Sequence, residues 1–246
     1  MSFIKNTLFI LVLVAANTNV VKAAVSLEQQ IETRREIYLN WIMEEFGRLE
    51  TTMKPFDGRL WSLNHTRLFR GVDLRKANRY FETVKLTLDP DFMGIRLLKT
   101  LLEFRDTNNL SEKSKTNLTN IIENWPMEPV QSRLAKWPPA FTENHDLMYL
   151  TIGLFSKQFR GQSIDGHLSE LKKSLAWRYE RGFYEWGSHR YQMHYSNPLQ
   201  VLAEFAPDVG VRRGAEDLLN LMLAERVLLS VNGYLGGPGM RSYGRN

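Results

Sequence analysis

The sequence contains no cysteine among its 246 residues. Such a chain cannot be held together by disulfides, and it cannot use a thiolate as a nucleophile or a metal ligand. Its stability must therefore come from a hydrophobic core. Long apolar runs are also scarce, because the longest extends only from Leu8 to Ala16. That run has about half the length that a spanning helix needs, so no membrane span is expected.

Charge of one sign is not concentrated anywhere in the chain. The 32 Lys and Arg residues slightly outnumber the 27 Asp and Glu residues, and the formal net charge is +5. The basic residues are interspersed with acidic ones instead of forming a block. This pattern disfavours nucleic acid as a partner and is compatible with an acidic ligand.

Residues 1–23 have the composition of a secretory signal peptide. Lys5 precedes the apolar run, and the small residues Val21 and Ala23 occupy the positions expected before a cleavage site. We therefore expect a secreted or periplasmic protein whose residues 24–246 form a single domain.

Apolar residues recur with a helical period along most of the chain. One stripe runs through residues 27–49, and a second, shorter stripe ends at Trp125. Neither stripe shows the alternation typical of a strand. Further helices are predicted over residues 73–87, 91–105, 143–159, 164–181, 197–206 and 210–230.

Short polar connections separate the predicted helices. Pro90 stands between two acidic residues, Ser111 can cap the helix that follows it, and Ser196 precedes a proline suited to a first helical turn. Short connections force neighbouring helices to run antiparallel, which predicts about four consecutive hairpins. The sequence thus predicts an all-α protein of antiparallel helical hairpins.

The segment from Thr142 to His145 opens the predicted helix 143–159. The positive end of the helix dipole disfavours a charged imidazolium, so a neutral His145 would be available as a base. Asn144 at the same helix end can donate a hydrogen bond to an anionic group. The residues also fit an ordinary helix start, with Thr142 as the cap, Glu143 complementing the dipole and His145 merely packing.

The segment from Gly182 to Tyr195 is rich in aromatic residues and histidine. Sugar rings present apolar faces and hydroxyl edges, which flat amphipathic side chains bind well, although the same side chains also anchor ordinary cores. A metal site is not expected, because the spacing of the histidines around Glu185 matches no strong motif, and no cofactor is expected either. The residues suited to a sugar site are Tyr184, Glu185, Trp186, His189 and Tyr191.

The end of the chain, from Gly233 to Asn246, is rich in glycine. Glycines allow the backbone to approach a ligand closely, and Arg241 is suited to holding a carboxylate through paired hydrogen bonds. Tyr243 lies beside it. The other interpretation is a frayed basic terminus.

In this order, the segments resemble a family of mostly uncharacterised bacterial proteins, whose helical toroid is related to those of polysaccharide lyases and helical-hairpin glycosidases. The resemblance covers about residues 85–243 and implies an α/α toroid. Family members continue past the Arg-Ser-Tyr segment, whereas this chain ends three residues after Tyr243, so an incomplete toroid is expected. The matching segments are Asp91-Phe92 with Leu97, Leu98, Leu101 and Leu102; Thr142 to His145; Gly182 to Trp186 with Ser188 and Tyr191; and Asn232-Gly233 through Tyr243.

The resemblance implies a carbohydrate-active protein that cleaves an acidic, uronate-containing polysaccharide or oligosaccharide by β-elimination. Asn144 and Arg241 would neutralise the sugar carboxylate, and either His145 or Tyr191 would remove the neighbouring proton. Tyr191 would also protonate the leaving oxygen. The remaining residues expected to contact the sugar are Glu143, Tyr184, Trp186, His189 and Tyr243.

Two alternatives remain open at this point. One is a glycoside hydrolase with Glu143 and Glu185 as its carboxylate pair, and the other is a non-catalytic glycan-binding or structural helical protein. Because successive hairpins return matching loops to the same side, His145, Tyr191 and Glu185 are expected to line one concave site, with Arg241 near it.

Overall fold

The computed structural model describes residues 26–86, 90–125, 143–183, 189–228, 230–231 and 234–235. The prediction of an all-helical fold is confirmed, since the only strands among these residues are the two-residue antiparallel partners β1 (Ser230–Val231) and β2 (Tyr234–Leu235). The helices are α1 (Leu27–Trp41), α2 (Gly58–Arg70), α3 (Leu74–Thr83), α4 (Pro90–Phe104), α5 (Glu112–Glu123), α6 (Glu143–Phe159), α7 (Asp165–Arg181), α8 (His189–Phe205) and α9 (Val209–Leu228).

Helix α1 continues through a short irregular stretch before α2 begins. A π-helical turn at Ile42–Phe46 is followed by a helical turn at Gly47–Leu49 and a 3-10 turn at Glu50–Thr52. Ser26 caps α1 with a full capping box, in which its hydroxyl accepts from the Gln29 N–H and its own N–H donates to the Gln29 side chain.

Three of the sequence-based helix boundaries were wrong, and one of them is the end of α3, which lies at Thr83 and not at residue 87. Helix α8 begins at His189, not at residue 197, so Pro198 lies inside the helix and does not start it. Proline lacks the N–H that would donate to the His194 carbonyl, which costs about 3 kcal/mol in a helix interior. Burial of the neighbouring Tyr195 and Leu199 offsets that cost. Helix α9 ends at Leu228, and Ser230 already belongs to β1.

The predicted cap at Ser111 is confirmed, since its hydroxyl accepts from the Ser114 N–H at 3.2 Å at the start of α5. Helix α2 was not predicted. Its buried face includes Asn64, Thr66 and Arg67, and these polar residues conceal the apolar period.

Helices α4, α6 and α8 contact one another in all three pairings, α2 contacts α4, and the pairs α3–α5 and α7–α9 pack against these helices. Contacts between α4 and α8 advance together along both helices, from Phe92 with His194 to Lys99 with Gln200, so these two helices run parallel. Helix α7 runs antiparallel to α6, because Asp146 near the start of α6 pairs with Arg178 near the end of α7.

Helix α4 is the centre of the core. Ten of its fifteen residues are buried, with leucines on several sides, which is the pattern of a helix surrounded by others. The buried apolar residues of α4, α6, α8 and α9 belong to one continuous cluster. No helix in the described ranges has both the length and the apolarity to cross a bilayer.

Candidate functional site

The first turns of α4 and α6 meet at a carboxylate and an imidazole. Asp91 is the second residue of α4 and is only 2% exposed, whereas the side chain of His145, in the first turn of α6, is 31% exposed. Oδ2 of Asp91 contacts Nδ1 of His145. An ionised carboxylate can only accept a hydrogen bond, so the proton of a neutral His145 lies on Nδ1 and the lone pair on Nε2. This arrangement gives His145 the tautomer of a general base.

Phe92 connects this pair to a second histidine. Its ring centroid lies 5.0 Å from that of His145 and 4.5 Å from that of His194, with interplanar angles of 70° and 64°. These edge-to-face contacts place His194 of α8 beside the first turns of α4 and α6. Helices α4, α6 and α8 therefore bring Asp91, His145 and His194 together around one aromatic ring near the N-terminal ends of these helices.

Asn144 is the buried member of this group. Its side chain is fully buried, and neither its Nδ2 nor its Oδ1 has a hydrogen-bond partner among the residues that the structure describes. Leaving a buried amide without a partner costs about 1–3 kcal/mol. The group also lies in the first turn of α6, where backbone N–H groups and the helix dipole favour an anion. Asn144 thus holds an unpartnered amide at a helix end that favours an anion, although the side chain itself has no surface exposed to solvent.

A second polar network lies further along α4, between Lys99 and Glu103. Thr100 of α4 accepts from Nε1 of Trp61 and contacts Nδ1 of His65, each at 3.0 Å. Nε2 of His65 lies 2.9 Å from Oε2 of Glu103. Lys99 donates to Gln200 of α8 at 2.7 Å. These contacts tie α2, α4 and α8 together through half-buried polar side chains.

Two carboxylates in this region, Glu103 of α4 and Glu204 of α8, have shifted pKa values. Burial raises the pKa of Glu103, but hydrogen bonds and charge from His65 and Lys99 outweigh it and leave the pKa lowered. Burial and the nearby Glu103 raise the pKa of Glu204. Such opposed shifts occur in functional sites and also in structural ion-pair networks. The dense hydrogen bonding to α2 and α8 supports the structural role here.

Of the residues that the sequence analysis assigned to the site, Asn144 and His145 have described side chains. Glu143 begins α6, and His189 and Tyr191 lie in the first turn of α8, but their side chains are outside the described part of the chain. The other assigned residues lie entirely outside the described ranges. They are Tyr184, Glu185, Trp186, Arg241 and Tyr243.

Sequence reasoning gave no role to Asp91 and Phe92, and it considered His194 only as a metal ligand with His189 and Glu185, a site that was not expected. Asp91 has the appearance of an ordinary acidic residue in the first turn of a helix, and its partner lies 54 residues away in the chain. The signal that could have identified it was its place, with Phe92, in the segment that carries the family resemblance.

Comparisons with family models, curated proteins and solved structures found no match to this chain. Within the described ranges, no group of three or more His, Asp or Glu side chains is placed to hold a metal ion. The family resemblance therefore stays a prediction, and the functional argument depends on the geometry around Asp91, Asn144 and His145.

Proposed function

We propose that this chain is a carbohydrate-active protein that cleaves an acidic, uronate-containing polysaccharide by β-elimination, with His145 as the base. The main support for this proposal is the contact between buried Asp91 and Nδ1 of His145, beside the buried amide of Asn144. A carboxylate that orients the imidazole and an amide that receives the substrate's anionic group are two of the parts that such a reaction needs.

In the proposed step, Asn144 and the first turn of α6 bind the sugar carboxylate, which acidifies the adjacent carbon–hydrogen bond. Nε2 of His145 takes that proton, and the electron pair left behind forms a carbon–carbon double bond. The bond from the next carbon to the glycosidic oxygen breaks with its electron pair on the oxygen. Tyr191 is the residue we propose as proton donor to that oxygen, since α8 begins beside the pair.

We further propose that the helices form an arc of an α/α toroid whose inner layer is α2, α4, α6 and α8. The parallel direction of α4 and α8 supports this, because a ring of hairpins requires its inner helices to run alike. The toroid would open at the helix ends that carry Asp91 and His145.

The test is formation of unsaturated products from a panel of uronate polymers, read by ultraviolet absorbance. Asp91→Asn is the sharpest variant, because its amide N–H₂ donates to Nδ1 and leaves the proton of His145 on Nε2. We expect it to lower kcat about 100-fold or more, and His145→Ala to do the same. Normal product formation by both variants would overturn the proposal, as would a parent protein inactive on every uronate polymer.

A stability measurement adds an independent check on Asn144. Asn144→Leu removes an amide that has no partner within the described ranges, so we expect it to raise the free energy of unfolding by about 1 kcal/mol while abolishing product formation. A loss of stability together with normal product formation would assign Asn144 to the core.

A further inference from the structure

Arg96 lies on the face of α4 that also carries Phe92. Its guanidinium carbon is 5.8 Å from the ring centroid of Trp61, across the gap between α4 and α2. The backbone of α2 lies directly against the guanidinium at Gly58, where a Cβ would be 2.7 Å from Nη1 and 2.9 Å from Cζ of Arg96. The absence of a side chain at Gly58 therefore makes room for the cation, which an aromatic ring holds from the other side.

Within the described ranges, this guanidinium has no ion pair and no hydrogen bond. Burial lowers the pKa of Arg96, while Tyr80 and Asp57 act in the opposite direction. Asp57 supplies part of the counter-charge, but its carboxylate accepts hydrogen bonds from the Arg59 side chain at 2.6 Å and from the Arg59 N–H at 2.9 Å. Half-buried arginines normally form a direct ion pair, and this one forms none with the described residues.

The position of Arg96 along α4 fits a subsite next to the proposed catalytic pair. Phe92, which contacts His145, precedes Arg96 by one helical turn, so the two side chains are separated by about 6 Å along α4. Phe92 and Arg96 lie on the same side of α4, and the side chain of His145, which contacts Phe92, is 31% exposed. A chain of uronate residues carries one carboxylate per sugar. The arginine can bind that carboxylate through two parallel hydrogen bonds, and the aromatic ring beside it can pack against the apolar face of the sugar.

We propose that Arg96, with Trp61 and Gly58, forms a second carboxylate-binding subsite for the same acidic saccharide that His145 acts on. The inference rests on the proposed function for its choice of ligand. It assigns to α2 a role in substrate binding that the sequence analysis did not give it.

The test measures affinity by calorimetry, with every protein carrying His145→Ala so that the ligand is not consumed. The probes are tetramers of galacturonate and of mannuronate, each compared with its carboxyl-reduced neutral form. We expect Arg96→Gln to weaken binding of the preferred uronate about 10- to 100-fold and to leave binding of the neutral form unchanged. Arg75→Gln removes an exposed arginine from α3 and is the charge-matched control, expected to stay within about twofold.

Gly58→Ala tests the geometry without removing the charge. The new Cβ displaces the flexible end of Arg96 and leaves the helix intact, so we expect a loss of about 3- to 10-fold for the uronate alone. Gly47→Ala is the matched control, because a Cβ there meets nothing within 4 Å, and it should bind as the parent does.

Two results would overturn the proposal: equal binding of both uronates and their neutral forms by the parent, or uronate binding unchanged in Arg96→Gln and Gly58→Ala. Each is distinct from failure of the proposed reaction. Arg96-dependent uronate binding without any unsaturated product would retain the subsite and reject the lyase, whereas His145-dependent product formation with Arg96-independent binding would do the reverse.

Discussion

Gly94 lies where α4 packs tightly against Trp125 and Ile152, and replacing it tests that packing directly. A Cβ at this residue would lie 2.6 Å from Cζ3 and 2.9 Å from Cη2 of Trp125, and 3.0 Å from Cδ1 of Ile152. Trp125 and Ile152 are 3% and 0% exposed, so neither has open space to move into. We therefore expect Gly94→Ala to destabilise the protein, although alanine is the better helix former.

The magnitude follows from two opposing contributions. Glycine to alanine in a helix interior favours the folded state by about 1 kcal/mol. Forcing a methyl group into a close-packed core costs about 1–3 kcal/mol, and contacts this short with two buried side chains place Gly94 at the upper end. The expected net effect is a loss of about 1–2 kcal/mol, which lowers Tm by roughly 2–8 °C for a chain of this size.

Urea unfolding followed by circular dichroism gives the difference in free energy, with an unchanged slope as evidence for a common unfolded state. Gly166→Ala in α7 is the matched control, because a Cβ there meets nothing within 4 Å, and we expect it to gain a few tenths of a kcal/mol. Trp125→Phe should make Gly94→Ala less costly in the double variant. A Gly94→Ala protein at least as stable as Gly166→Ala would refute the close packing of α4 against Trp125.

Three further changes test the charged groups of α2, α4 and α8 by unfolding measurements. Glu50→Ala removes the carboxylate that pairs with both terminal nitrogens of buried Arg67, and we expect a loss of about 2–4 kcal/mol; a loss below about 0.5 kcal/mol would contradict this. Burial raises the pKa of folded Glu103, but hydrogen bonding and charge from His65 outweigh burial and leave that pKa lowered. Ionised Glu103 therefore stabilises the folded protein above about pH 4.5, and this stabilisation disappears as the pH falls through the lowered pKa. The stability lost in Glu103→Gln at pH 7 should become smaller in acid. Burial and the charge of Glu103 raise the pKa of folded Glu204. Glu204 therefore contributes favourably to the free energy of unfolding below about pH 4.5, and this contribution is lost as the pH rises through the raised pKa. Glu204→Gln should stabilise the protein at pH 7 by up to about 1 kcal/mol and have little effect in acid.

Helix α6 shows how much of the fold was predictable from sequence. Its predicted and observed bounds are the same, because an apolar period follows a polar start without interruption. Helix α2 was missed because Arg67 points inward and is satisfied by Glu50, which lies 17 residues earlier in the chain. A helical period is visible only when the buried face is apolar, and tertiary pairing allows a charged residue to take an apolar place.

The start of α8 shows a different limit. A proline is a sound local signal for a helix start, and Pro198 was interpreted in that way. The helix nevertheless begins nine residues earlier at His189, because Tyr195 and Leu199 on either side of the proline are buried between neighbouring helices. Burial of two large side chains is worth several kcal/mol and exceeds the local cost of about 3 kcal/mol, but this balance requires knowledge of the neighbours.

The candidate site contains one residue that the sequence identified and others that only the packing reveals. His145 was identified from its own helix start, whereas Asp91 and His194 were not, because they lie about 50 residues before and after it. That interval is the length of one helical hairpin with its connections, from the start of α4 to the start of α6 and from there to the start of α8. Phe92 of α4 contacts both His145 of α6 and His194 of α8, so residues about one hairpin apart in the chain meet near the starts of these helices. Asp91 and His145 come from the first turns of their helices and His194 from the second turn of its helix. Since the hairpins share no repeated sequence, only the packing of α4, α6 and α8 reveals that these residues come together.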